Sequence, residues 1–163
     1  MKSVFEKHGI YYLSPSTINL WISQPAMCLL KIAGFSDGQA GAAAWRGTAA
    51  DRAITKAAFE PKTPNDELVQ QALDVFDGEH QNSTNEQDET KVEKERSNVS
   101  SFVTVGAEFY RNLNETPIED QGRVKVKIGD VDVPFYGYFD LLYKDKVRDI
   151  KTVGRAVNSL TQA

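Results

Sequence analysis

The feature that most constrains this fold is a change in the spacing of apolar residues near residue 120. Before it, apolar side chains recur three or four positions apart, as at Phe102, Val105 and Phe109, which is typical of one face of an α-helix. After it, the segment RVKVKIGD at 123–130 alternates apolar and basic residues, as a half-exposed β-strand does. The sequence therefore predicts an α+β domain in which N-terminal helices pack on a small, mainly antiparallel sheet.

The helical part divides at proline and at polar stretches. Ser14 or Ser16 can cap the first helix of residues 13–32, Pro15 suits its first turn, and Gln24-Pro25 should divide it into two helices. The strongest helix prediction is the alanine-rich stretch 42–59, which contains no proline. Two further helices are predicted over residues 66–76 and 100–113.

Residues 77–98 are polar and mixed in charge, with Val92 as their one apolar residue. This composition predicts an exposed polar connection or the solvated start of a helix. Beyond residue 123 we predict three hairpin-linked strands, with a turn at Gly129-Asp130, over residues 123–130, 131–143 and 146–153. Because the last strand leads into the start of a helix and then stops, we expect a single domain over 1–163 that is incomplete at its C-terminal end.

Composition excludes several classes of protein. The 163 residues suffice for one domain, and Cys28 is the only cysteine, which excludes an intrachain disulfide framework and a cysteine-held zinc or iron–sulfur site. No apolar run approaches the length of a membrane span, and the N-terminus has no signal peptide, so we expect a reducing, cytoplasmic setting without a membrane partner. The net charge of −4 does not by itself indicate a nucleic-acid-binding protein.

Charged residues inside the last two predicted strands need a common explanation. If the hairpin loop has an even length, Asp140 lies directly opposite Asp149, and Lys151 shares a face with Asp149. Facing carboxylates destabilise a sheet unless they share a proton or a cation, and Mg²⁺ or Mn²⁺ prefers such oxygen ligands. The lysine could then stabilise charge on a phosphoryl oxygen or orient an attacking water. The alternative is a solvated sheet face on which these acids have no role.

A third carboxylate lies in the 42–59 helix. Gly47, Asp51, Ile54 and Ala58 fall along one stripe of that helix, and the glycine would let another backbone or a nucleic-acid strand come close. Asp51 either reaches a metal ion or pairs with a neighbour such as Arg52 or Thr55.

Taken together, these segments resemble the PD-(D/E)XK nuclease superfamily in its RecB-like or Cas4-like branch. The hairpin GYFD…RDIKT resembles the D…(D/E)xK core, LSPSTINLWISQP resembles the opening helix, and RGTAAD resembles the GxxxH helix. The resemblance implies a restriction-endonuclease-like core with Asp140 and Asp149 as metal ligands and Lys151 as the catalytic lysine. Asp51 stands where many members have histidine and would be a further ligand. Gln24-Pro25 replaces the usual cysteine-proline, so no iron–sulfur cluster is expected.

The function implied is that of a Mg²⁺-dependent deoxyribonuclease, with Mn²⁺ as a substitute, acting as an exonuclease in recombination, repair or phage replication. A set of basic residues either contacts DNA phosphates or carries the solvated charge of the strand faces: Arg123, Lys125, Lys127, Arg148 and Arg155. Because the family continues past its lysine strand, activity of the full protein need not extend to this chain alone if the chain is incomplete. The alternatives are a non-catalytic nucleic-acid-binding or scaffold protein that retains the nuclease fold, and an unrelated α+β interaction domain. An uncapped third strand would leave a sheet edge suited to pairing with a second copy.

Overall fold

The computed structural model describes residues 4–35, 40–84 and 87–152. Within these ranges the chain forms six helices followed by three strands, which confirms the predicted α+β class. The elements in chain order are α1 Val4–Lys7, α2 Pro15–Ser23, α3 Pro25–Ile32, α4 Ala42–Phe59, α5 Asn65–Asn82, α6 Glu89–Asn112, β1 Glu119–Val126, β2 Phe135–Leu142 and β3 Val147–Arg148.

The helices α4, α5 and α6 form the main core, and α4 has the bounds that the sequence predicts. Its buried alanines let the neighbouring helices approach closely, while Trp45 and Ile54 supply its larger buried side chains. The side chain of Leu141 on β2 is also fully buried in this cluster, so the sheet is anchored to the helices beside Asp140. None of the helices in the described part of the chain is both long and apolar enough to cross a membrane.

The prediction of an exposed polar connection over residues 77–98 is wrong for most of that stretch, and the alternative, the solvated start of a helix, is confirmed from Glu89. Helix α5 continues to Asn82, and α6 begins at Glu89 after an N-cap at Asp88, whose carboxylate accepts a hydrogen bond from the Thr90 amide at 3.0 Å. Val92 is 3% exposed within this otherwise polar segment, so one face of the first turns of α6 is buried although the segment carries a single apolar residue. The guanidinium of Arg96 on α6 also donates two hydrogen bonds of 2.7 Å to Asp77 on α5. The two polar stretches are therefore the solvated faces of packed helices.

The first helices follow the predicted pattern. Ser14 caps α2 by accepting a hydrogen bond from the Thr17 amide at 3.2 Å, and Gln24-Pro25 separates α2 from α3. The backbone of Leu13 joins this pair of helices to the sheet through two hydrogen bonds, one to the Pro134 carbonyl at 3.0 Å and one from the Tyr136 amide at 2.8 Å.

The sheet has the order β1-β2-β3, and both strand pairs are antiparallel. The predicted hairpin register is confirmed, because Leu141 pairs with Arg148 and Leu142 with Val147. The predicted strand bounds are less accurate. Strand β1 begins and ends four residues earlier than the predicted 123–130, and β3 comprises two residues instead of the predicted 146–153.

Two glycine substitutions are expected to change stability in opposite directions. A Cβ atom at Gly106 on α6 would overlap Cδ1 and Cγ1 of Ile54, which is 3% exposed. We therefore expect Gly106→Ala to lower the free energy of unfolding by about 1–3 kcal/mol. A Cβ atom at Gly78 on α5 meets nothing within 4 Å, so Gly78→Ala should raise it by about 0.5–1 kcal/mol. Urea denaturation measures both, and a stabilising Gly106→Ala would contradict this packing of α4 on α6.

Candidate functional site

The candidate site lies where the short strand β3 ends. After Arg148 the ladder ends, and the amide of Ile150 donates a 2.6 Å hydrogen bond to the carboxylate of Asp140. The Asp140 carboxylate therefore replaces a backbone carbonyl of β2 as the acceptor for this amide, and residues 149–152 lie outside the strand ladder. This explains why the predicted strand ends early, and it places Asp149 and Lys151 on a segment held by side chains.

The structure brings together the four residues selected from the sequence. The pKa of Asp51 is raised from 3.8 to about 6, first by burial and then by the negative charge of Asp140, while the Lys151 ammonium opposes the shift. The pKa of Asp140 is also raised, again first by burial, and the Asp149 carboxylate adds to the effect against the Ile150 hydrogen bond. A helix and a distant hairpin thus bring three acids and a lysine into one electrostatic neighbourhood.

Lys151 lies beside the acid two residues before it. Its Nζ is 2.7 Å from Oδ2 of Asp149, and this hydrogen bond raises the pKa of the lysine. Both side chains remain more than half exposed, at 65% for Lys151 and 53% for Asp149. The ammonium is therefore charged at neutral pH and accessible to a ligand from solvent.

Gln121 is a site residue that the sequence analysis missed. Its side-chain amide donates a 3.1 Å hydrogen bond to Oδ2 of Asp51, so neither Arg52 nor Thr55 is the observed hydrogen-bond partner of that acid. Its φ of 51° is in the left-handed region, which costs about 1–3 kcal/mol for a residue other than glycine. The sequence gives no signal for this conformation, because glutamine is not among the residues that favour it.

The carboxylate oxygens of Asp51, Asp140 and Asp149 are the donors that this site offers to a hard divalent cation. Oδ1 of Asp51 is buried without a hydrogen-bond partner, and burial raises the pKa values of Asp51 and Asp140, so their anionic forms are only partly compensated. Carboxylate oxygens are the ligands that Mg²⁺ and Mn²⁺ prefer, so the residues fit such an ion in charge and donor type. Among the described residues, however, no three acidic, histidine or cysteine side chains already form a group that could hold a metal ion. Binding would therefore require the carboxylates to move closer together.

A cleft of about 590 Å³ opens beside the 149–152 segment. One wall is that segment, and the other is the face of α6 that carries Val105, Phe109 and Tyr110. Asp149 and Lys151 are both among the residues that line it.

The basic residues predicted to contact DNA lie in different settings. Arg123 and Lys125 are exposed on β1, where their cationic groups lie 4.7 Å and 5.9 Å from the centre of the Tyr136 ring. Tyr136, Tyr138 and Asp140 are two residues apart along β2 and so share one face of the sheet. The face that carries Arg123 and Lys125 therefore leads to Asp140. Lys127 is exposed just after β1, whereas the guanidinium of Arg148 lies 5.5 Å from the ring of Tyr143. Arg155 lies outside the described residues.

The raised pKa of Asp51 predicts a pH-dependent change in stability. The folded chain holds this proton more tightly than the unfolded chain, so stability falls as pH rises from 3.8 to about 6 and stays lower above that range. In metal-free buffer we expect Asp51→Asn to raise the free energy of unfolding by about 2 kcal/mol near pH 7.5, after discounting for partial exposure, and to leave it unchanged near pH 3.5.

Urea denaturation at both pH values measures this difference, with Asp132→Asn as an exposed control. An equal change at both pH values would show that the Asp51 charge does not cause the effect.

Comparisons of this chain with protein-family models, with curated proteins and with solved structures find no match. The indications of function in this chain therefore come from the geometry of Asp51, Asp140, Asp149 and Lys151.

Proposed function

We propose that this protein is a metal-dependent nuclease that hydrolyses DNA phosphodiester bonds on a restriction-endonuclease-like core. The observation that supports the proposal best is the convergence of Asp51 from α4 with Asp140, Asp149 and Lys151 from the hairpin. Burial and mutual repulsion destabilise Asp51 and Asp140 as anions, and a bound cation would relieve both effects. Clusters of perturbed acids beside a lysine are typical of sites that perform chemistry.

In this proposal Asp51, Asp140 and Asp149 hold Mg²⁺, for which Mn²⁺ substitutes. When bound, the ion would activate a water molecule and offset charge on the leaving oxygen. Lys151 stabilises negative charge on the scissile phosphate, because its raised pKa keeps it protonated and makes it a poor proton acceptor. Gln121 holds the Asp51 carboxylate in a fixed orientation through its hydrogen bond.

The face of β1 and β2 that leads to the site suits a nucleic-acid substrate. Arg123 and Lys125 provide exposed positive charge, and Tyr138, which is 67% exposed, lies two residues before Asp140 on the same face. Cations contact phosphates, and an exposed aromatic ring can stack with a base. An exonuclease role in recombination, repair or phage replication, a cytoplasmic setting and pairing of two copies through a sheet edge stay predictions.

The proposal is tested first by metal binding and then by cleavage. We expect Mn²⁺ titrated into the wild-type chain to give saturable heat at sub-millimolar to millimolar concentration, as is typical of a carboxylate site kept partly hydrated. End-labelled DNA should then be cleaved with Mg²⁺ and left intact with EDTA. The absence of both metal binding and cleavage would contradict the proposal.

A charge-removing substitution tests the contact with DNA. Arg123→Gln should weaken binding of a DNA oligonucleotide about three- to tenfold in EDTA and reduce the slope of log affinity against log salt by about 1. Fluorescence anisotropy at several salt concentrations measures both quantities. Lys62→Gln, in the turn between α4 and α5, is the matched control. Equal effects of the two substitutions would show that the binding depends on net charge alone.

A non-catalytic nucleic-acid-binding protein is the second candidate. One observation favours it: the described carboxylates do not already form a metal-holding group. DNA binding that persists in EDTA, together with metal binding and no cleavage, would support this candidate.

A further inference from the structure

Residues 149–152 carry two of the proposed functional side chains, although they lie outside the strand ladder. Two hydrogen bonds from other parts of the chain restrain their backbone. The Ile150 amide donates to Asp140 at 2.6 Å, and the Thr152 carbonyl accepts a hydrogen bond from Nη2 of Arg46 at 3.0 Å. Lys151 is the residue between these two fixed points, so its position depends on both.

The Arg46 side chain is itself held rigidly. It is 8% exposed, its Nη1 forms an ion pair with Glu95 on α6, and its guanidinium lies 4.4 Å from the centre of the Phe102 ring. A buried guanidinium with a carboxylate on one side and an aromatic ring on its face has little freedom to change its hydrogen bonds. Arg46 therefore fixes the end of the 149–152 segment against both α4 and α6.

The next residue of α4 strengthens this arrangement. At Gly47 the nearest atom to an added Cβ would be Oγ1 of Thr152, at 3.6 Å, so the helix surface lies directly against this threonine. Asp51 follows Gly47 by four residues and lies on the same side of α4. One helix thus sets the position of Asp51 and of the segment that carries Lys151.

We propose that Arg46 is a positioning residue, which sets Lys151 and Asp149 relative to Asp51 through its hydrogen bond to the Thr152 carbonyl. The catalytic consequence rests on the proposed nuclease function, whereas the positional effect can be measured without it. Lysine cannot replace Arg46, because an ammonium lacks the planar fork that reaches Glu95 and Thr152 together.

Amide hydrogen exchange in the full chain without metal tests the positional effect. We expect Arg46→Lys to speed exchange of the Ile150 amide about tenfold and to leave the buried Leu141 amide unchanged. Arg111→Lys is the matched control, because Arg111 makes the same type of fork, to the Asn65 side chain and the Thr63 carbonyl, away from the 149–152 segment. Unchanged Ile150 exchange in Arg46→Lys, or equal acceleration in both variants, would overturn the proposal.

A milder variant covers the case in which Arg46→Lys does not fold. Glu95→Gln keeps a hydrogen-bond acceptor for Arg46 and removes only the charge, so the fold should persist. Exchange of the Ile150 amide should then be about threefold faster than in the wild type, because Arg46 holds the Thr152 carbonyl less firmly without the Glu95 charge. No change in Glu95→Gln would also overturn the proposal.

The kinetic consequence separates positioning from binding. Arg46→Lys should lower kcat about tenfold or more for DNA cleavage with little change in KM, because misplacement of Lys151 affects the transition state more than the bound substrate. Arg111→Lys should leave both constants unchanged. If the wild-type chain neither binds Mn²⁺ nor cleaves DNA, the proposed function fails. Hydrogen exchange of the Ile150 amide still decides the role of Arg46 in that case. If the wild type cleaves and Arg46→Lys matches it in exchange and kcat, the positioning role alone fails.

Discussion

Asp140→Asn is expected to remove saturable Mn²⁺ binding and to lower DNA cleavage by about a thousandfold or more. The substitution removes one negative charge from the acidic site, so the remaining carboxylates have a weaker attraction for a divalent ion. The amide oxygen of asparagine can still accept the hydrogen bond that Ile150 donates to Asp140 at 2.6 Å. The fold should therefore persist, and the lost activity would report on charge.

Calorimetry with Mn²⁺ and cleavage of end-labelled DNA measure the two effects, and circular dichroism checks the fold. Asp130→Asn, in the exposed turn after β1, removes the same charge elsewhere and should leave both properties unchanged. Metal binding by Asp140→Asn at wild-type affinity would show that this carboxylate is not a ligand.

Phe76→Ala should give the largest loss of stability, about 4 kcal/mol in the free energy of unfolding. The ring of Phe76 is fully buried between the helices and meets Trp45 of α4 edge-to-face at 5.9 Å. Its removal leaves a cavity and an unsupported tryptophan, and the methyl side chains of the alanines in this core are too short to fill the space.

Urea denaturation followed by tryptophan fluorescence measures this loss. Phe109→Ala is the control, because that ring is 51% exposed and its truncation should cost less than about 1 kcal/mol. Similar losses in the two variants would contradict the packing of α5 on α4.

The elements that the sequence predicts most accurately are those with local causes. Helix α4 has its predicted bounds because an alanine-rich run without proline favours a helix along its whole length. The hairpin register is correct because a loop of even length determines which residues pair, and the pairing of Leu141 with Arg148 follows from it. The convergence of Asp140, Asp149 and Lys151 could be predicted on that basis.

The features that the sequence does not predict have distant causes. Strand β3 ends at Arg148 because the Asp140 side chain takes the Ile150 amide, and no strand propensity reports such a competition. The sequence leaves residues 89–98 open between a polar connection and a helix start, and burial of Val92 against other helices favours the helix. Gln121 reaches Asp51 across 70 positions of sequence, and a backbone conformation that is uncommon for glutamine makes this contact.

The attachment of α2 and α3 has a consequence for how the molecule opens. These helices pack chiefly on each other, and the two backbone hydrogen bonds of Leu13 connect them to the sheet. Among the described residues the stacking of Tyr12 on Tyr136 adds one further link, and a region joined to the core at so few described points can detach as a separate cooperative unit while α4, α5 and α6 stay folded. Ile22, which is 75% exposed already in the folded chain, and the apolar side chains between these helices would then meet other molecules first. Protease cleavage and self-association should therefore begin at this end of the chain, well before global unfolding.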